Sequence, residues 1–261
     1  YRARGIWLDW MGQGGIIREN LVFNTGAPAL YLEVNHGPIL VAHNILLSEE
    51  SLSNRSRGTA YVHNLFGGQC VIGNTTRITP YMEHHSTVVA GMHDNYNGDD
   101  RFYNNIFAAP AKDGQSVLNE EERRPSKPGK LAKYDDDSMP LVMNGNLYLN
   151  GAIPHKKDLN PLVLDQESST LELIRTDDGY FMEWQSKPAW LKGPKRSLLT
   201  TDMLGRALVP DMKYENADGS PLTIDTDYFG EKRNADNLEP GPFTESKEDK
   251  KLIKVWPKDL N

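Results

Sequence analysis

A single cysteine, Cys70, occurs in 261 residues. This excludes an intramolecular disulfide framework and a cysteine-based zinc cluster, and it leaves the cellular compartment open. Flanked by Val71 and Ile72, Cys70 is read as a core residue. No apolar run approaches the ~20 residues that span a bilayer, and no basic, apolar, then small-residue leader opens the chain. Basic charge is in deficit, with 29 Lys and Arg against 36 Asp and Glu. That balance offers no broad electropositive surface for phosphates, so neither nucleic acid nor membrane is an expected partner. Helical periodicity is poor through residues 1–110, where Gly and Asn interrupt too often for long helices. No phosphate-binding loop is present either: Gly12-Gln-Gly-Gly15 lacks both the dinucleotide spacing and a following helix.

What the chain does contain is a repeat. Gly5-Ile-Trp-Leu-Asp9-Trp10 through Asn20-Leu-Val-Phe23 aligns without gaps on Ala29-Leu-Tyr-Leu-Glu33-Val34 through Asn44-Ile-Leu-Leu47. Asp9 and Glu33 are thus in phase, each 11 residues before its Asn. Asn recurs before an apolar residue at Asn20, Asn44, Asn64, Asn105 and Asn146, with gaps of 24, 20, 41 and 41. Each of the last two gaps is read as about two coils of ~20 residues. The pattern predicts an all-β, right-handed parallel β-helix with an Asn ladder at its turns, loop excursions and an irregular C-terminal tail. Alternation assigns Ile6, Leu8 and Trp10 to the core face, with Leu30, Leu32 and Val34; Trp7, Asp9, Tyr31 and Glu33 point outwards.

Residues 1–150 are expected to form the coils, and residues 151–261 terminal strands and a surface-wrapping tail of the same domain. Residues 67–101 are read as an excursion from the repeat. Residues 110–140, with Glu120-Glu-Glu-Arg-Arg124 and Asp135-Asp-Asp137, are read as a solvated insertion and not a metal site. Asn54-Arg-Ser56 and Asn74-Thr-Thr76 match the glycosylation pattern, which is short and frequent by chance. The first residues offer no solenoid cap, and Ile6 already belongs to a strand, so an N-terminal segment or a second chain is expected to complete any pocket.

Two carboxylates on neighbouring rungs lie ~5 Å apart and repel each other. Sharing one proton relieves this and divides the pair into a carboxylate and a carboxylic acid. A retaining glycosidase uses these two species at a separation of ~5–5.5 Å, one to attack the anomeric carbon and the other to protonate the leaving oxygen. Trp7 and Tyr31 flank the pair as a platform for a sugar ring. His36, just past the Glu33 strand, is a candidate sugar hydrogen-bond partner, as are Asn35, His84 and His85. Arg101 is read as a salt-bridge anchor. Two adjacent histidines without a positioned third ligand do not make a metal site, and no metal or cofactor is expected.

Several motifs occur in order along residues 5–110: Gly5-Ile-Trp-Leu-Asp-Trp10, Leu32-Glu-Val-Asn-His-Gly-Pro38, Thr79-Pro-Tyr81, His85-Ser-Thr87 and Gly98-Asp-Asp-Arg-Phe-Tyr-Asn-Asn105. They resemble glycoside hydrolase family 120, β-xylosidases built on a right-handed β-helix. The resemblance implies that Asp9 is the nucleophile and Glu33 the general acid/base. It also implies a longer protein, since family members carry preceding coils and a β-sandwich domain that helps wall the sugar pocket.

The expected activity is therefore retaining hydrolysis of short oligosaccharides. Two other functions fit a β-helix. A polysaccharide lyase needs Ca²⁺ or cationic side chains to neutralise a uronate, and residues 1–50 supply only Arg2, Arg4 and Arg18. A non-catalytic carbohydrate-binding solenoid would use the aromatic residues alone. A periplasmic or secreted location is favoured only by the kind of solenoid.

Overall fold

The computed structural model describes residues 3–73, 75, 77–96, 98–108, 140–164, 171–184, 187–236, 238–244 and 251–258, and the backbone of 118–120. The acidic runs near 120–124 and 135–137, and Asn74 and Thr76 of one glycosylation pattern, lie outside the residues so described. Asn54, of the other pattern, is fully buried and donates to Asp100 Oδ2 at 2.8 Å, which leaves it no access to a glycosyl donor.

Strands dominate, and most of them fall into three parallel sheets. The first stacks Ile6–Asp9, Leu30–Glu33, Glu50–Arg55, Gln69–Ile72 and Leu118–Glu120. The second stacks Gly15–Arg18, Ile39–Ala42, Thr59–Val62, Asp100–Tyr103 and Leu141–Asn144. The third holds Leu21–Val22, Ile45–Leu46, Leu65–Phe66, Ile106–Phe107, Leu147–Leu149 and Leu162–Leu164. The chain visits the three sheets in turn and returns one rung further on, a path consistent with a parallel β-helix.

In-phase stacking sets like residues on like inside the coils. Leu30, Leu32, Leu52, Cys70 and Ile72 of the first sheet face Val41, Tyr61 and Phe102 of the second, and Leu46, Phe66, Phe107 and Tyr148 of the third. Tyr61 lies over Phe102 at 4.3 Å, and Phe66, Phe107 and Tyr148 stack at 5.1 and 5.3 Å. Each such pair adds ~0.5–1.5 kcal/mol to the burial of its rings.

The turn between the second and third sheets uses one device repeatedly. Glu19, His43, His63 and Asn104 take left-handed φ of 59°, 56°, 55° and 56°, with Gly145 at 70°. Each is followed by an Asn, and from Asn44 onwards its side-chain oxygen accepts from the backbone N–H and side-chain amide of the Asn one rung before. The contacts run Asn20 to Asn44 (3.1 and 2.9 Å), Asn44 to Asn64 (2.9 and 3.0 Å), Asn64 to Asn105 (2.9 and 3.0 Å) and Asn105 to Asn146 (2.9 and 3.1 Å). Asp158 ends the column, accepting from Asn146 at 3.0 Å and from the Tyr148 hydroxyl at 2.6 Å.

This register corrects two readings of the sequence. The gaps of 41 are single coils, because Asn64, Asn105 and Asn146 bond to one another directly. In sequence the additional residues lie between strands of the first and second sheets, at 73–99 between Gln69–Ile72 and Asp100–Tyr103, and at 121–140 between Leu118–Glu120 and Leu141–Asn144. The excursion also begins later than residue 67, since Gln69–Ile72 pairs with Glu50–Asn54 as an ordinary rung, with one register shift at Gln69/Cys70. What departs is an antiparallel hairpin, Ile78–Met82 with Val89–Asp94.

The chain after residue 170 packs on the outer faces of two sheets. Leu199, Leu204, Tyr214, Leu222 and Ile224 cover Leu40, Ala42, Ala60 and Val62 of the second. Trp184, Trp190, Tyr228, Phe243 and Val255 cover Ile45, Leu65, Ile106, Leu147 and Leu149 of the third. Arginines fasten this wrap through backbone carbonyls: Arg101 donates to Leu204 at 2.7 Å and Arg206 at 2.6 Å, and Arg196 to Gly145 at 2.7 Å. Arg101 also pairs with Asp99 at 2.7 Å, the anchoring role read from the sequence. The outer face of the first sheet carries the carboxylates.

Candidate functional site

Ile6–Asp9 and Leu30–Glu33 pair in parallel with Trp7 opposite Tyr31 and Asp9 opposite Glu33. Adjacent rungs lie about 4.7–4.9 Å apart, so the two carboxylates rise from the same face at that spacing. Asp9 is exposed, and its Oδ1 accepts from the Trp10 N–H at 3.0 Å. Glu33 is partly buried and sits opposite Arg55 on the next rung. Arg77, at the root of the hairpin, brings its guanidinium to 3.5 Å from Glu33 Oε1. The Arg77 guanidinium is a counter-charge beside Glu33 that the sequence reading lacked.

Trp10 departs from its predicted place in the core. Its φ of 28°, followed by 61° at Met11, ends the strand after Asp9, so the alternation that holds for Ile6 and Leu8 does not extend to it. The indole is 44% exposed and lies 6.0 Å from the Arg77 guanidinium. Trp10 is thus a functional candidate that strand alternation concealed; the turn signal of the following Gly12 was its only trace in the sequence. Val34, also assigned to the core by alternation, is indeed buried although its φ is 56°.

The predicted sugar contacts separate into surface and support. Trp7 is exposed, with the Arg4 guanidinium 4.5 Å over its ring. Tyr31 is buried beneath it at 5.7 Å between centroids, with Arg4 also 4.3 Å over the phenol. Its pKa is raised, chiefly by burial, with the neighbouring Glu33 carboxylate acting in the same direction. Tyr31 therefore lies under Trp7 and Arg4 and does not present a ring face. Asn35 is fully buried: it donates to Leu8 O at 3.0 Å and accepts from Gly12 N at 2.6 Å, fastening both ends of the segment that bears Asp9 and Trp10. His36 is buried as well. Its Nε2 lies 3.1 Å from Thr79 O and 2.9 Å from Thr79 Oγ1, which pins the hairpin to the turn after Glu33. His84 Nε2 is 3.2 Å from Pro210 O, and His85 pairs with Glu215 at 3.3 Å, so both tie the hairpin tip to the C-terminal wrap. Among the described residues no group of three or more His, Cys, Asp or Glu is placed to hold a metal, and no helix is long and apolar enough to cross a membrane.

Burial lowers the His36 pKa to about 4, with nearby Arg57 and His93 acting in the same direction. In the unfolded chain the ring titrates near 6.5. Above that value both states are neutral and the group contributes no pH dependence. As pH falls below it the unfolded chain takes up the proton first, so stability is lost from about pH 6.5 down to about pH 4. His36 is expected to remove on the order of 2 kcal/mol between pH 6.5 and 5. Urea midpoints measured across that window should fall more steeply for the unaltered chain than for His36→Gln; identical slopes would contradict this.

A scan against protein-family models finds no match, and a search of curated proteins finds none either. Among solved structures the chain is similar to one described as the complex structure of XylC with xylose, at 34% identity and a TM-score of 0.81. The match covers 97% of this chain and 41% of that one, so the chain spans about two fifths of the length of the structure it matches.

Proposed function

We propose that the chain is the carboxylate-bearing part of a retaining glycoside hydrolase of family 120, on a right-handed parallel β-helix, acting on β-xylosides. The observation that carries this is the Asp9–Glu33 pairing on adjacent rungs of an outer sheet face, at the spacing of a double displacement. The likeness to a xylose complex across almost the whole chain supports the choice of sugar. Asp9 attacks the anomeric carbon while Glu33 gives its proton to the departing oxygen, which leaves a glycosyl ester on Asp9. Glu33, now a carboxylate, takes a proton from water as that water attacks the same carbon, and the product keeps the starting anomeric configuration. Arg77 orients Glu33; Trp7 and Trp10 offer ring faces on either side of the pair.

The test is nitrophenol release from a panel of aryl glycosides, β-xyloside first, by the protein with its natural flanking sequence, followed by NMR of the first-formed sugar. Hydrolysis with the β-anomer formed first is expected; the α-anomer, or no hydrolysis of any panel member, would overturn the proposal. A leaving-group comparison tests the role of Glu33. Glu33→Gln should lower kcat/KM for xylobiose at least ~10²-fold more than for an activated aryl xyloside, because only the sugar alkoxide needs the proton.

One observation favours a lyase as the second reading. Arg77, outside the first 50 residues and half exposed, stands beside Glu33 where β-elimination would require a cation for a uronate. Growth of ultraviolet absorbance from an unsaturated uronide, with no reaction on aryl xylosides, would select it.

A further inference from the structure

A cleft of about 920 Å³ opens beside the carboxylates without containing them. Its floor is the start of the second sheet, residues 14–16 with Pro38 and Leu40. One wall is the hairpin tip, residues 82–87 in part, and the other is residues 212–217 of the C-terminal wrap. Its volume falls at the upper end of the ~300–1,000 Å³ typical of small-molecule sites.

The walls are fastened to one another. The Gln13 side-chain amide makes two hydrogen bonds with the Met82 backbone, donating to its carbonyl at 2.9 Å and accepting from its N–H at 3.0 Å. The His84 contact with Pro210 and the His85–Glu215 pair hold the hairpin tip against the wrap. A cleft braced in this way is available to a ligand without first being assembled.

Its chemistry is that of a carbohydrate site. Glu83 and Glu215 stand against Lys213, so the lining has no excess of positive charge, which disfavours a phosphate or a polyanion. The indole of Trp10, the Glu83 and Glu215 carboxylates and the Lys213 ammonium provide a ring face with acceptors and donors for hydroxyls. Trp10 also joins the cleft to the candidate site: it follows Asp9 directly, lines the cleft, and adjoins Arg77, which contacts Glu33.

Resting on the glycosidase reading above, we infer that this cleft holds sugar units of the substrate beyond those at the carboxylates, and that the preferred substrates are oligosaccharides longer than a disaccharide. The link is Trp10, which directly follows Asp9 and lines the cleft.

Filling the cleft tests this. Ala217→Trp and Thr87→Trp place an indole on opposite walls at exposed positions, where folding is undisturbed. The expected result is at least a 10-fold fall in the ratio of kcat/KM for xylotetraose to that for an aryl β-xyloside, in both variants. An unchanged ratio in both would overturn the inference while leaving the glycosidase reading intact. If no substrate is turned over, that reading fails, and titration calorimetry with xylotetraose decides the cleft separately. Binding to the unaltered chain that is lost in the two variants supports it; absence of binding, or equal binding to all three, overturns it.

Discussion

Asp9→Asn should lower turnover of an aryl β-xyloside by at least ~10³-fold, equivalent to about 4 kcal/mol of transition-state stabilisation, with the folded structure unchanged. The amide cannot form the glycosyl ester, so the first half of the double displacement has no nucleophile. Structural cost should be small, because Asp9 is exposed and its described hydrogen bond is a local one to the Trp10 N–H. The thermal midpoint should move by less than ~2 °C, the scale of a surface substitution in a domain of this size. A second variant separates loss of a nucleophile from loss of binding. Asp9→Ala opens space on the rung, and added azide should restore turnover of an activated substrate with a product of inverted configuration. If Asp9→Asn retained more than a tenth of the activity, Asp9 would not be the nucleophile, and Glu33 with a water would have to be considered instead.

The positions that carry this prediction were legible because a parallel stack imposes the same demand at the same place in every coil. Asp9 and Glu33 aligned without a gap, and the structure pairs them residue for residue. The Asn column was visible for the same reason: a left-handed turn with an inward amide recurs at each rung. What escaped the sequence depends on information that is not periodic. An insertion of about one coil length cannot be told from a coil by counting, which is why the two gaps of 41 were read as double coils. Alternation describes a strand only while it remains one, and the positive φ of Trp10 and Met11 carries Trp10 out to the surface. Arg77 reaches Glu33 from a hairpin root, so a survey of cations confined to residues 1–50 could not find it. Asn35 and His36 were recognised as important neighbours, yet burial makes them braces for the Asp9 and Glu33 segments instead of surfaces for a sugar. Asp158 closes the Asn column without belonging to its motif, since a carboxylate accepts as an amide oxygen does and needs no further rung to satisfy.

The same column predicts where the fold is least tolerant. Asn64 is fully buried, and its side chain makes four hydrogen bonds. Its oxygen accepts from Asn44 N at 2.9 Å and Asn44 Nδ2 at 3.0 Å; its amide donates to Val41 O at 2.9 Å and Asn105 Oδ1 at 3.0 Å. Asn64→Ala removes all four and leaves the Asn44 N–H buried without its acceptor, at about 1–3 kcal/mol for the orphaned group, with ~0.5–1.5 kcal/mol for each further bond lost. Because Asn44 Nδ2 also donates to Ile17 O and Ala42 O, part of that loss is shared, and the expected total is ~3–4 kcal/mol. In a domain of this length that corresponds to roughly 8 °C in thermal midpoint. Asn64→Asp should be no milder: it keeps the acceptor but turns a carboxylate oxygen towards Val41 O and Asn105 Oδ1, where the amide had donated, and buries a charge without a partner. Asn20 gives the contrast. It is partly exposed, and among the described residues its side chain donates only to Arg18 O at 2.9 Å and Asn44 Oδ1 at 2.9 Å, so Asn20→Ala should cost less, about 1 kcal/mol. Equal losses for Asn20→Ala and Asn64→Ala in calorimetric melts would mean that the ladder contributes through local turn conformation, and not through its contacts between coils.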